Sequence, residues 1–191
     1  MADKFELCTA AFTLLGANSI ESFEDGTTES DIAASLYPLV AKRSLAAYPW
    51  RWAKTEKDLG AALDEDSLNG YEYVFQKPND PLILRELGVF ITGTDQPVPY
   101  DILRNKIFAN ENQDLVLRYL YYVDEEEWPD YFSGALIFEL GGTFAIALEK
   151  ADRGLSLIDA AAKLHWPQAH TANAQGATTR KFRSRLLGLR I

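Results

Sequence analysis

Cysteine is almost missing from this 191-residue chain: Cys8 stands alone. It excludes an internal disulfide, and its place among apolar residues at helical spacing makes it a small core side chain. A reducing cytoplasm is the expected setting. Histidine is nearly as scarce. His165 and His170 lie five residues apart, which puts them on different faces of a helix, and no cysteine is near enough to complete a zinc set. They are expected to face solvent or an interface. Nucleophilic catalysis through a histidine base finds little support, and no metal site is expected. Glycine-rich phosphate loops, dinucleotide fingerprints and calcium loops are absent; the Gly141-Gly142 pair sits inside an apolar run, the wrong context, so no cofactor is expected. No basic stretch followed by an apolar one opens the chain, so a signal peptide is not expected. The longest apolar segment, Tyr131 to Leu148, is just long enough to span a bilayer. Glu139 at its centre, the two glycines and the charged ends argue for a buried helix instead.

What is present fits one folding unit with a sizeable core: 47% of residues are hydrophobic and 12% aromatic, more than a disordered chain carries. The net charge of -9 argues against a protein that grips nucleic-acid phosphates. That charge is uneven. Arg180, Lys181, Arg183, Arg185 and Arg190 are unaccompanied by any acidic side chain in the last twelve residues, so a total of -9 leaves -14 for the rest. Paired carboxylates such as Asp64 with Asp66 and Asp124 with Glu127 read as solvated faces or helix starts, although a glycosidase pair would look the same.

Periodicity divides the chain into four regions. Residues 1–49 predict two helices. The first, Asp3 to Leu15, carries a Phe5, Cys8, Phe12 and Leu15 stripe. The second opens near Thr28 and Asp31, runs through Pro38 and ends where Pro49 forces Tyr48 out of helical geometry. Residues 50–123 change to short runs of Tyr, Phe, Val and Ile punctuated by Pro and Gly, a β-rich insert. Residues 124–178 predict two more helices. One opens at Asp124 and is apolar nearly all round, with Gly141 and Gly142 permitting close packing; the other, Leu155 to Ala177, presents Leu155, Ile158, Ala162 and Trp166 on one face. Residues 179–191 form a tail too short to fold alone, mixing the five cations with Phe182, Leu186, Leu187, Leu189 and Ile191. The expected fold is mainly α with a β insert: a four-helix bundle with an extended C-terminal tail. Trp50 and Trp52 read as core at the helix-to-strand junction, since a base-stacking platform would need more than Arg51 and Lys54 beside it.

Four segments in this order resemble the head-to-tail adaptor (connector) family of short-tailed phages, the tail tubular protein A type. They are LGANSIESFED (15–25), LAAYPWRWA (45–53), GYEYVFQKPND (70–80) and LRYLYYVDEEEWPDYFSGAL (117–136). The pattern is carried by Tyr48, Pro49, Trp50 and Trp52 after the second helix, by Tyr71, Tyr73, Pro78 and Asp80 around one strand, and by Trp128 and Phe132 at an acidic helix start. The resemblance implies a non-enzymatic virion component that forms a ring, twelvefold in this family, in the neck between capsid and tail. Its partners would be the portal protein, a tail nozzle or tail tube protein, and copies of itself. DNA would pass through the middle without specific binding, no membrane would be involved, and assembly would take place in the host bacterial cytoplasm. Arg180 to Ile191 would dock on the portal. The competing expectations are a virion-associated cell-wall hydrolase and a helical-bundle interaction module.

Overall fold

The computed structural model describes residues 3–67 and 69–176. The docking-tail residues Arg180 to Ile191 lie outside the described residues. Helix α1 (Lys4–Thr13) starts where the Asp3 carboxylate accepts hydrogen bonds from the backbone N–H groups of Phe5 and Glu6 while the Glu6 carboxylate accepts one from the Asp3 N–H, a complete capping box. Helix α2 (Thr28–Ala47) is capped one residue earlier than the sequence suggests, by Thr27 with Ser30. It passes through Pro38 without ending. Tyr48 then turns to extended backbone ahead of Pro49 and closes it.

Seven strands come next: β1 (Lys54–Asp58), β2 (Tyr73–Gln76), β3 (Ile83–Ile91), β4 (Pro97–Val98), β5 (Tyr100–Leu103), β6 (Lys106–Ala109) and β7 (Leu115–Tyr121). They form two antiparallel sheets, ordered β1-β7-β3-β4 and β2-β6-β5. Glu125–Glu127 makes a short 3-10 turn. Helix α3 (Asp130–Ala147) is next, then α4 (Ala151–Ala160) and α5 (Trp166–Gln175), which a π-helical turn at Ala161–His165 joins into one rod.

The expected four-helix bundle is not what forms. Among the described residues 44% are helical and 20% lie in strands of two antiparallel sheets, an α+β fold. The physical reason lies in β7, which contributes side chains to two cores. Leu115, Leu117 and Tyr119 turn toward Phe75, Val89, Ile107 and Ala109 in a core between the sheets. Leu120 joins Leu7, Phe12, Leu45, Trp50, Phe132, Leu136 and Phe144 in a second core among the helices. The strands therefore own a hydrophobic centre and lend a strand to the helical one, so they are a structural layer and not an appendage to a bundle.

Two helices also differ in detail. Pro129 disfavours helical geometry at Trp128, so α3 begins at Asp130 and not at Asp124. In α4 the buried positions include Gly154 and Leu157, while Leu155 is 61% exposed. The glycines set that rotation: a Cβ on Gly142 would lie 2.5 Å from Ile158 Cγ1, and one on Gly154 would lie 2.8 Å from the Gly142 carbonyl oxygen. The α3 and α4 backbones meet where neither has a side chain.

Cys8 is fully buried in the helical core, and that burial, with Asp3 nearby, pushes its thiol up to about 12. Since thiolate is the reactive form, a disulfide-exchange reagent at pH 8 is expected to leave Cys8 untouched in the native protein and to label it fully in urea. Prompt labelling of the native protein would contradict this packing.

Candidate functional site

The aromatic residues that carry the sequence pattern fall into two groups. Trp50, Trp52, Trp128 and Phe132 converge. The Phe132 ring takes edge-on contacts from the other three, each at a centroid distance of 5.1 Å. Two indoles are fixed by hydrogen bonds, Trp50 Nε1 to the Ser44 carbonyl at 3.1 Å and Trp128 Nε1 to the Val123 carbonyl at 2.8 Å. Pro49 makes the turn that brings Trp50 back beneath the end of α2. Tyr71, Tyr73, Pro78 and Asp80 lie apart from this cluster. Tyr73 packs against the core between the sheets, Tyr71 is half-buried just before β2, Pro78 is half-buried, and Asp80 is exposed at the start of a cis Asp80-Pro81 bond. They build the β layer and contribute nothing to the aromatic junction.

Beside the junction opens a cleft of about 330 Å³, lined by Arg43, Ser44, Tyr48, Trp50, Glu139, Trp166 and His170, with Ala47 and Ala162. Three elements position these groups. The last turn of α2 supplies Arg43 and Ser44, the middle of α3 supplies Glu139, and the rod beyond the π turn supplies Trp166 and His170. Trp166 and His170 are an i, i+4 pair on one face of α5, and the π turn before them, which adds a residue to the helical repeat, sets the direction in which that face points. Tyr48 stacks on His170 at 4.0 Å, and Trp166 lies 5.9 Å from Trp50.

Glu139 is the one carboxylate in these walls. Its Oε2 accepts from Trp166 Nε1 at 2.8 Å and from Ser44 Oγ at 3.3 Å, and its Oε1 pairs with Arg43. The Glu139 side chain is 17% exposed, whereas that of Arg43 is 65% exposed and reaches over it from solvent. An oriented carboxylate at the base of aromatic walls is suited to hold a cation, and the planar guanidinium above all. The Ser44 hydroxyl is its neighbour, His170 shares the lining, and no second carboxylate stands in these walls. Among the described residues, no group of three or more His, Cys, Asp or Glu is placed to hold a metal ion, and no helix is long and apolar enough to cross a membrane.

In the sequence Glu139 serves only as an argument against membrane insertion; that it organises a cleft is a finding of the structure. The signal available was a lone acid inside an apolar helix, whose partners come from segments 95 and 27 residues away. Both histidines are half-buried, His165 stacked on Phe138 at 3.6 Å and His170 on Tyr48 at 4.0 Å.

Burial lowers the His170 pKa below its ordinary value. The unfolded chain then binds the extra proton more readily, so stability is greatest above the unfolded pKa of about 6.5 and falls as pH drops below it. A urea midpoint that declines between pH 7.5 and 5.5, with the decline reduced in His170→Gln, is the expected result. Arg43, Glu139 and the Tyr48 ring share the cleft with His170; an equal slope in the variant would place the titration elsewhere. No family model matches the chain, and no curated protein is significantly similar to it.

Proposed function

We propose that this chain is a structural head-to-tail adaptor of a tailed phage or phage-like particle, acting by assembly and not by catalysis. The observation that carries the reading is the ordered set of four segments at 15–25, 45–53, 70–80 and 117–136. The aromatic side chains of two of them meet at Phe132, where they tie the helical layer to the sheets. A body with a helical layer and a β layer that share core contacts through Leu120 suits a subunit that must present different faces to two partners.

Copies of the chain form a ring, twelvefold as in the family it resembles, with the helical end toward the portal protein and the β end toward a tail nozzle or tail tube protein. Exposed Leu39, Ile146, Leu155 and Leu164, all on helices or on the π turn between them, support contact with neighbouring copies. DNA passes through the middle, and an acidic body discourages it from sticking because like charges repel. The basic and apolar segment Arg180 to Ile191 docks on the portal. Each contact is weak, and a ring of tails makes them collectively firm. The mature protein then resides in the neck of the virion after assembly in the bacterial cytoplasm.

Negative-stain imaging of the chain mixed with the portal protein from the same source tests this. Stacked rings that vanish when residues 180–191 are deleted are expected. No association at low and moderate salt would sink the reading, and rings that persist without the tail would remove its assigned role.

A further inference from the structure

The cleft over Glu139 lies on the same rod from which the C-terminal segment departs. We propose that in the free protein this cleft seats the chain's own tail: an arginine from Arg180, Arg183 or Arg185 takes the Glu139 carboxylate in place of Arg43, with its guanidinium against the Trp166 and His170 rings. The inference does not depend on the adaptor reading, because it concerns the chain alone.

The first ground is the carboxylate itself. Two neutral donors, Trp166 Nε1 at 2.8 Å and Ser44 Oγ, fix the position of Glu139. They hold it without neutralising it. The balancing charge comes from Arg43, whose side chain is mostly in solvent, and a long side chain held in one geometry from solvent makes a weak ion pair. Arg43 is therefore a replaceable partner. A tail arginine entering between the rings keeps the charge pairing and adds ring contact that Arg43, reaching in from solvent, makes less of.

Reach is the second ground. His170 lines the cleft and α5 ends at Gln175, so Gly176 stands about 9 Å farther along the axis. Gly176 lies beside the Arg51 side chain, and Arg51 directly follows the lining residue Trp50 in the chain. Arg180 is four residues beyond it and can travel back up to about 14 Å before its own side chain is counted. Charge is the third. The tail has five cations and no acid, while the remainder of the chain carries -14. A tail held at home is kept from engaging stray acidic surfaces until a better site competes for it.

Limited tryptic digestion of the full-length protein, read by mass spectrometry as cleavage after Arg180 to Arg190, tests the proposal. Glu139→Gln is expected to speed that cleavage about fivefold, the loss of one partly exposed charged contact. Arg43→Ala is the sharper variant: removing the competitor is expected to slow cleavage severalfold, whereas a tail that never visits the cleft would be cut at an unchanged rate. An unchanged or faster rate in Arg43→Ala overturns the proposal. So does protection that grows with protein concentration, which would assign the cleft to the tail of a second copy. If Glu139→Gln does not fold, the indole N–H resonance of Trp166 serves instead. It is expected to shift when Arg180, Arg183 and Arg185 are all replaced by glutamine in the full chain, and an unmoved resonance counts against the docked tail. None of these outcomes bears on portal binding, which the imaging experiment decides separately.

Discussion

Valine in place of Gly154 is expected to destabilise the protein by about 3 kcal/mol or more, enough to threaten folding in a domain whose whole stability is of the order of 5–15 kcal/mol. A Cβ there would sit 2.8 Å from the Gly142 carbonyl oxygen, 2.9 Å from Ile146 Cγ1 and 3.2 Å from Ala145 Cβ. The first of these is backbone and cannot rotate away. Alanine at the same position sets two effects against each other. In an exposed helix it would gain about 1 kcal/mol over glycine, but here the close approach of α3 and α4 must open to admit it, and overpacking typically costs about 1–3 kcal/mol. The balance is a net loss. Gly134, in the first half of α3, provides the control, since a Cβ there meets nothing within 4 Å. Gly134→Ala is expected to raise stability by up to about 1 kcal/mol. Urea unfolding of the three variants decides the matter: Gly154→Ala as stable as Gly134→Ala would mean that the helices do not cross this closely.

Trp50→Ala is expected to cost about 3–5 kcal/mol, the range for removing a large buried aromatic. Trp50 is 1% exposed and is among the largest fully buried side chains in the protein. Its indole touches the rings of Tyr48, Trp52, Phe132, Trp166 and His170. The indole N–H also satisfies the Ser44 carbonyl in the last turn of α2, where no later helical N–H is available to do so. Trp50→Phe separates the contributions. It keeps most of the ring contact and loses the hydrogen bond, with an expected cost of about 1–2 kcal/mol. A Trp50→Phe variant as unstable as Trp50→Ala would show that the hydrogen bond, and not the packing, dominates.

Several elements of the fold were legible in the chain alone. The Phe5, Cys8, Phe12 and Leu15 stripe, Pro49 after Tyr48 and the change from helical to alternating periodicity near Trp50 are local signals, and local sterics and hydrogen bonding enforce them wherever the chain lies. The glycine pair in α3 was legible as a packing feature, though its partner, Gly154, was not. The class of fold was missed because the pairing of strands into sheets with a core of their own is not local. Nothing near Leu115 to Tyr121 announces that one side of β7 faces Phe75 and Ile107 while Leu120 faces the helices. The start of α3 was misplaced because the acidic run Asp124 to Glu127 imitates a helix N-terminus, whereas Pro129 and the Trp128 indole decide the real one.

The sequence by itself determined where the first two helices lie, that Cys8 and Trp50 are buried, and that the tail is basic against an acidic body. Each of these depends on a residue and its near neighbours. Only the tertiary structure decided that the strands form a layer of their own, that α3 and α4 meet at Gly142 and Gly154, and that Glu139 lies beneath Trp166 and Arg43. Those facts depend on which distant segments touch. Pairing across long separations is selected by the burial of the whole molecule, and no window of the chain contains that sum.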